Sequence, residues 1–132
     1  MAAERAQRFV EALKALEEGN DVEPLASLHG ADADISNPLV PHVHHGEDGA
    51  RRFWTAYRGT FDTVSSGFHH VEDAGTASFL EWTSTGRSSQ GRDFEYRGVS
   101  VVEWNGDRIS AFRTYFDPRH LGEQIGTAGN RE

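Results

Sequence analysis

The chain has 132 residues, 13 Lys+Arg against 21 Asp+Glu, a net charge of −8 and no Cys. That length predicts one domain with a real apolar core, and the missing Cys excludes a disulfide framework, thiolate metal sites and a Cys nucleophile. The acidic balance argues against nucleic acid and anionic membrane surfaces, which are bound through Lys and Arg, and no apolar run reaches the ~20 residues needed to span a bilayer.

The first segment, MAAERAQRFVEALKALEEG, is charged throughout. It lacks the apolar stretch of a signal peptide, so a cytoplasmic protein is expected. Ala6, Phe9, Leu13 and Leu16 form one apolar stripe, predicting a helix over residues 4–18 that ends at Gly19. A second short helix is predicted over about 21–29, with Asp21 as N-cap, Pro24 in the first turn and Gly30 at its end. DADISNP (32–38) reads as a short strand closed by Pro38, and a loop follows. Ala50, Phe53, Trp54, Tyr57 and Phe61 then recur at helical spacing, predicting a third helix with an aromatic face.

From residue 63 the period changes from 3.6 to 2. Strands are predicted at about 63–73, 76–86, 92–104 and 107–117, the last two joined through Asn105-Gly106 by a type I′ turn. Asp117-Pro118 reads as an N-cap with Pro at the first helical position. Leu121 and Ile125 suit a last short turn, and residues 126–132 suit a flexible tail after a single domain over 1–125. Helices segregated from strands indicate an α+β fold. The expected architecture is a cone-shaped, curved antiparallel sheet around a pocket closed by the three N-terminal helices.

Side chains alternate along a strand. The even positions carry most aromatics and few charges, so they are taken to face the helices. They comprise Phe68 and His70, Trp82 and Ser84, Phe94, Tyr96 and Ser100, and Phe112, Thr114 and Phe116. With Asn37 and Trp54 they make the expected ligand-binding set, an aromatic interior with a few polar groups. A packed core whose hydroxyls bond locally is the plainer alternative. His70, placed inward by this alternation, is the candidate general base, with Tyr96 as hydrogen-bond donor and His69 facing out. The odd-face Val99 and Val101, flanked by charges, suit a dimer interface on the outer sheet face. His42, His44 and His45, followed by Glu47 and Asp48, resemble the first metal motif of cupins. The spacing to Glu47 is too short and the later motif is absent, so no metal is expected. No Gly-x-Ser-x-Gly elbow or Gly-rich phosphate loop occurs, and no organic cofactor is implied.

The order of elements, the segment GEDGARRFW and the close GRDFEYRGVSVVEWNGDRISAFRTYFD resemble SnoaL-like proteins of the nuclear-transport-factor-2-like superfamily, over about residues 5–121. The resemblance implies a cone-shaped α+β barrel with a deep pocket, commonly a homodimer. Relatives include polyketide cyclases, ketosteroid isomerase, limonene epoxide hydrolase, dehydratases and binders without a known reaction. AFRTYFD is similar to the last-strand segment of limonene epoxide hydrolase. There Thr114 falls on the catalytic Asp position, Trp82 and Ser84 on the Arg and second Asp, and Ile35 and Asn37 near the water-positioning Tyr and Asn. Only Asn37 keeps its chemistry, so hydrolysis by that route is not expected. Two readings follow. One is a protein that binds a small polyketide-, steroid- or terpenoid-like molecule, with His-based isomerase or cyclase chemistry. The other is a non-catalytic dimeric binder that has lost the acid/base residues.

Overall fold

The computed structural model describes residues 2–39 and 43–125. His42 and the tail at 126–132 lie outside them. The elements follow in the order α1 (Ala2–Gly19), α2 (Glu23–Ala26), β1 (His29–Ser36), β2 (His44–His45), α3 (Gly46–Gly59), β3 (Phe61–Asp73), β4 (Ala77–Ser88), β5 (Asp93–Asn105), β6 (Arg108–Phe116) and α4 (Pro118–Ile125). The fold is α+β, as the segregated periodicities predict. The sheet runs β2-β1-β6-β5-β4-β3. It curves around the core and is not closed, since β2 and β3 form its two edges.

Four features differ from the sequence expectation. The second helix is a single turn, Glu23–Ala26, with Val22 at its N-cap, and Gly30 lies inside β1. The sheet is not wholly antiparallel, because β1 pairs parallel to β6, with Ile35 opposite Phe112. The loop after Pro38 contains β2, which pairs His44 and His45 with Ile35 and Asp34. The last hairpin turns at Gly106-Asp107, since Asn105 pairs with Arg108. Only Gly106 has positive φ there, at +62°, the sign pattern of a type II′ turn; type I′ needs positive φ at both central residues.

Helices α1 and α3 lay their apolar faces on the concave side of the sheet. Phe9, Leu13 and Leu16 of α1 and Phe53 and Trp54 of α3 meet Ile35, Leu80, Val102 and Phe112 in one cluster. The Phe112 ring lies 4.9 Å from Trp54 and 5.6 Å from Phe9. Arg5 locks the start of α1 over the hairpin tips. It donates to the carbonyls of Gly75 and Gly106 and lies 5.2 Å above the Trp104 ring. Arg51 binds Glu23, Glu47 and Asp48, tying α2 to α3. Asp117 accepts from the backbone N–H of Arg119 and His120, capping α4 as its place before Pro118 predicts. Gln124 then holds α4 to β5 with two hydrogen bonds to the backbone of Glu95. No described helix is long and apolar enough to cross a membrane.

Candidate functional site

Strand register sets the site. Three rows of side chains cross the concave face in order: Ser66–Ser84–Tyr96, then Phe68–Trp82–Gly98–Phe116, then Leu80–Ser100–Thr114. The middle row depends on Gly98. A Cβ there would stand 2.3 Å from the Tyr115 carbonyl and 2.7 Å from the Trp82 ring. The glycine therefore lets the indole lie flat across β5. Between these rows and helices α1 and α3 is a cavity of about 170 Å³. Leu39, Ala56 and Thr60, all exposed, stand at its mouth.

Most of the residues expected to bind a ligand line this cavity. They are Asn37, Trp54, Phe68, Trp82, Ser84, Tyr96, Ser100, Phe112, Thr114 and Phe116. Phe94 does not. It is buried behind the wall, 4.7 Å from Phe61. His44, read from sequence only as part of a loop cluster, is at the cavity against the Phe53 ring. His45 instead pairs with Asp34 on the exposed edge. Among the described residues no group of three or more His, Asp or Glu is placed to hold a metal ion.

His70 is the main correction. The register passes from Phe68↔Trp82 to His70↔Glu81, so β3 carries a bulge at His69. The extra residue reverses the alternation beyond it. His69 bonds Thr83 at 2.6 Å and His70 faces Glu81 at 3.3 Å, both on the outer face. The His70 side chain is 71% exposed. It cannot act on a molecule in the cavity.

A carboxylate that strand reasoning could not find lies beside the site instead. Glu17, on α1, is only 5% exposed. Its carboxylate accepts from Tyr57 Oη (2.6 Å), the Ser66 backbone N–H (2.9 Å) and Ser66 Oγ (2.7 Å). Ser66 Oγ also lies 2.6 Å from Ser84 Oγ. A hydroxyl has one hydrogen. Since Ser66 gives its own to Glu17, Ser84 must be the donor to Ser66. Burial, and then the negative charge of Glu17, push the Tyr57 phenol well above its ordinary range. The same causes, in the same order, raise Tyr96. Both phenols stay protonated at neutral pH.

A second chain crosses the opposite wall. Trp82 Nε1–H donates to Ser100 Oγ, and Ser100 donates to Thr114 Oγ1, both at 2.9 Å. Thr114 donates onward to the Val99 carbonyl at 3.4 Å, a long bond. Thr60 at the mouth donates to the Ala56 carbonyl. The Tyr96 hydroxyl differs: the residue is 5% exposed, lines the cavity, and has no hydrogen-bond partner among the described residues. Among the described residues, no Asp or Glu lines the cavity.

A model of the SnoaL-like domain matches residues 6–112. No curated protein matches the chain. Solved structures share the fold at low identity. An NTF2-like protein from Anabaena variabilis ATCC 29413 is 18% identical, with a TM-score of 0.81, covering 91% of this chain and 92% of its own. A hypothetical protein with a ketosteroid isomerase-like fold from Catenulispora acidiphila DSM 44928, in complex with trimethylamine, is 16% identical, with a TM-score of 0.80 and coverages of 96% and 95%. An LEH-like epoxide hydrolase from M. tuberculosis is 19% identical, with a TM-score of 0.73 and coverages of 94% and 88%.

Proposed function

The chain belongs to the SnoaL-like domain family, and from that premise we propose that it binds one small, largely apolar molecule in the cavity between the sheet and helices α1 and α3. The observation that carries this reading is the cavity itself, walled by aromatic rings with a few hydroxyls at fixed positions. Its size narrows the ligand. An engineered apolar cavity of roughly 150 Å³ accepts benzene, so about 170 Å³ suits a single substituted ring. A monocyclic terpenoid or a simple aromatic fits that volume; a steroid does not fit without opening the walls. The trimethylamine complex of the Catenulispora protein supports a small occupant for this fold.

Thermal unfolding against a panel of such ligands tests the reading. A single-ring ligand at 100 times its dissociation constant is expected to add roughly 2.7 kcal/mol, while a steroid leaves the midpoint unchanged. A silent panel of single-ring ligands would contradict it.

Cofactor-independent acid/base chemistry is the second reading, and one observation favours it. Tyr96 presents a free hydroxyl to the cavity within the field of the buried Glu17. Such a donor can polarise a ligand carbonyl, an effect worth ~10²–10³-fold in turnover when it is removed. With His70 on the outer face, Tyr96 takes the leading place in this reading. A binder without catalysis uses the same contacts.

The outer sheet face is assigned to a second copy of the chain. Phe79 and Tyr115 are 41% and 52% exposed there. Val101 stands between Phe79 and Arg113 in the register, and Val99 between Glu81 and Tyr115. An apolar strip edged by charges of both signs can be self-complementary about a two-fold axis. Sedimentation is expected to show a dimer that Val101→Arg converts to a folded monomer. A monomeric parent protein would contradict this assignment.

A further inference from the structure

We propose that the cavity selects a protonated lipophilic amine over neutral or anionic molecules of the same shape. The inference rests on the binding reading above and adds the charge and hydrogen-bonding class of the ligand. Three observations lead to it.

The first is the state of the hydroxyls. Tyr57, Thr60, Ser66, Ser84, Ser100 and Thr114 all line the cavity. Each has its hydrogen committed elsewhere: to Glu17, to a main-chain carbonyl, or to the next hydroxyl in line. What these hydroxyls can still offer a ligand is lone pairs, beside one indole donor, Trp54 Nε1–H, that is buried without a partner. The second observation is Glu17. Buried charges are ordinarily paired, yet no Lys, Arg or His forms an ion pair with this carboxylate among the described residues. Arg58 lies close by, but it donates only to main-chain carbonyls, Nε–H to that of Glu17 and its other nitrogens to those of Phe61 and Asp62. A carboxylate with no direct ion pair therefore stands one hydroxyl layer behind the cavity. The third is the wall. The rings of Trp54, Tyr57, Trp82 and Tyr96 line the cavity, and aromatic faces attract an ammonium group. The Tyr96 hydroxyl, unpartnered and 5% exposed, is free to rotate and accept from an N–H donor.

A primary ammonium group on a single ring meets all three. Its N–H groups reach the Tyr57 and Ser84 oxygens, its charge is balanced by Glu17, and its ring fills the aromatic end. A carboxylate in the same place would face Glu17 across one layer of hydroxyls.

The test uses benzylamine, benzyl alcohol and benzoate at pH 7, a cation, a neutral molecule and an anion of nearly one shape. Titration calorimetry on the full chain is expected to show benzylamine binding at least tenfold more tightly than benzyl alcohol, with benzoate weakest. In Glu17→Gln the amine's advantage over benzyl alcohol is expected to fall below about threefold. Benzyl alcohol binding as tightly as benzylamine, or benzoate more tightly than either, would overturn the inference and leave the binding reading standing. Failure of all three to bind would overturn both. The comparison among ligands on the parent protein holds even if Glu17→Gln does not fold.

Discussion

Glu17→Ala is expected to lower the unfolding free energy by about 4 kcal/mol. The carboxylate accepts three hydrogen bonds, from Tyr57, the Ser66 backbone and the Ser66 hydroxyl. Removing it leaves those buried donors without an acceptor, at about 1–3 kcal/mol each. Water entering the space recovers part of the loss. The network also holds α1 to α3 and β3, so the effect reaches beyond one side chain. Glu17→Gln keeps the shape and one acceptor oxygen, and is expected to cost about half as much. Urea unfolding of the two variants separates the electrostatic loss from the loss of packing. A Glu17→Ala protein within 1 kcal/mol of the parent would show that these hydrogen bonds contribute little net stability.

His29 produces the second large effect, and it depends on pH. The ring is fully buried at the start of β1, with Nδ1 2.9 Å from the Leu25 carbonyl and Nε2 without a partner. Burial lowers its pKa from 6.5 to about 4, against smaller opposing effects of the Leu25 and Ala26 backbone and of Glu47. The ring is therefore neutral when folded, with Nδ1–H donating to Leu25. Because the folded value is depressed, the unfolded chain takes up the proton first. Stability is full above about pH 6.5 and falls as the pH drops toward 4. At about 1.4 kcal/mol per pH unit, that interval is worth about 3 kcal/mol. His29→Leu removes the titration and also the bond to Leu25, which costs about 1 kcal/mol. The variant is expected to be less stable at pH 7.5 yet to lose about 3 kcal/mol less than the parent on acidification to pH 4. Parallel stability curves for the two proteins would contradict this.

The cavity walls were legible because β4, β5 and β6 keep a period of 2 through the residues that matter. Trp82, Ser84, Tyr96, Ser100, Phe112 and Thr114 all point where alternation puts them. The same rule misplaced His70, because the bulge at His69 adds one residue and nothing in GFHHVED marks it. Glu17 was missed for another reason. It stands four residues after Leu13 and eight after Phe9, on the apolar face of α1. A charge inside that stripe is the available signal, and strand alternation does not reach it. The parallel pairing of β1 with β6 was out of reach, since it joins residues 77 to 80 positions apart through no local turn. The chemistry of the hydroxyls was equally hidden. Sequence places Ser66, Ser84, Ser100 and Thr114 on one surface, but only their mutual distances show where each hydrogen goes.

Whether the cavity is open to a ligand can be read from the indole N–H signals. The chain has three tryptophans. Trp54 and Trp82 line the cavity. Trp104 lies outside it, bonded to Ser78 and covered by Arg5. On titration with benzyl alcohol, the Trp54 and Trp82 indole resonances are expected to shift together along one saturating curve while Trp104 stays fixed. No shift at saturating ligand, or a shift of Trp104 as large as the other two, would contradict a binding site in this cavity.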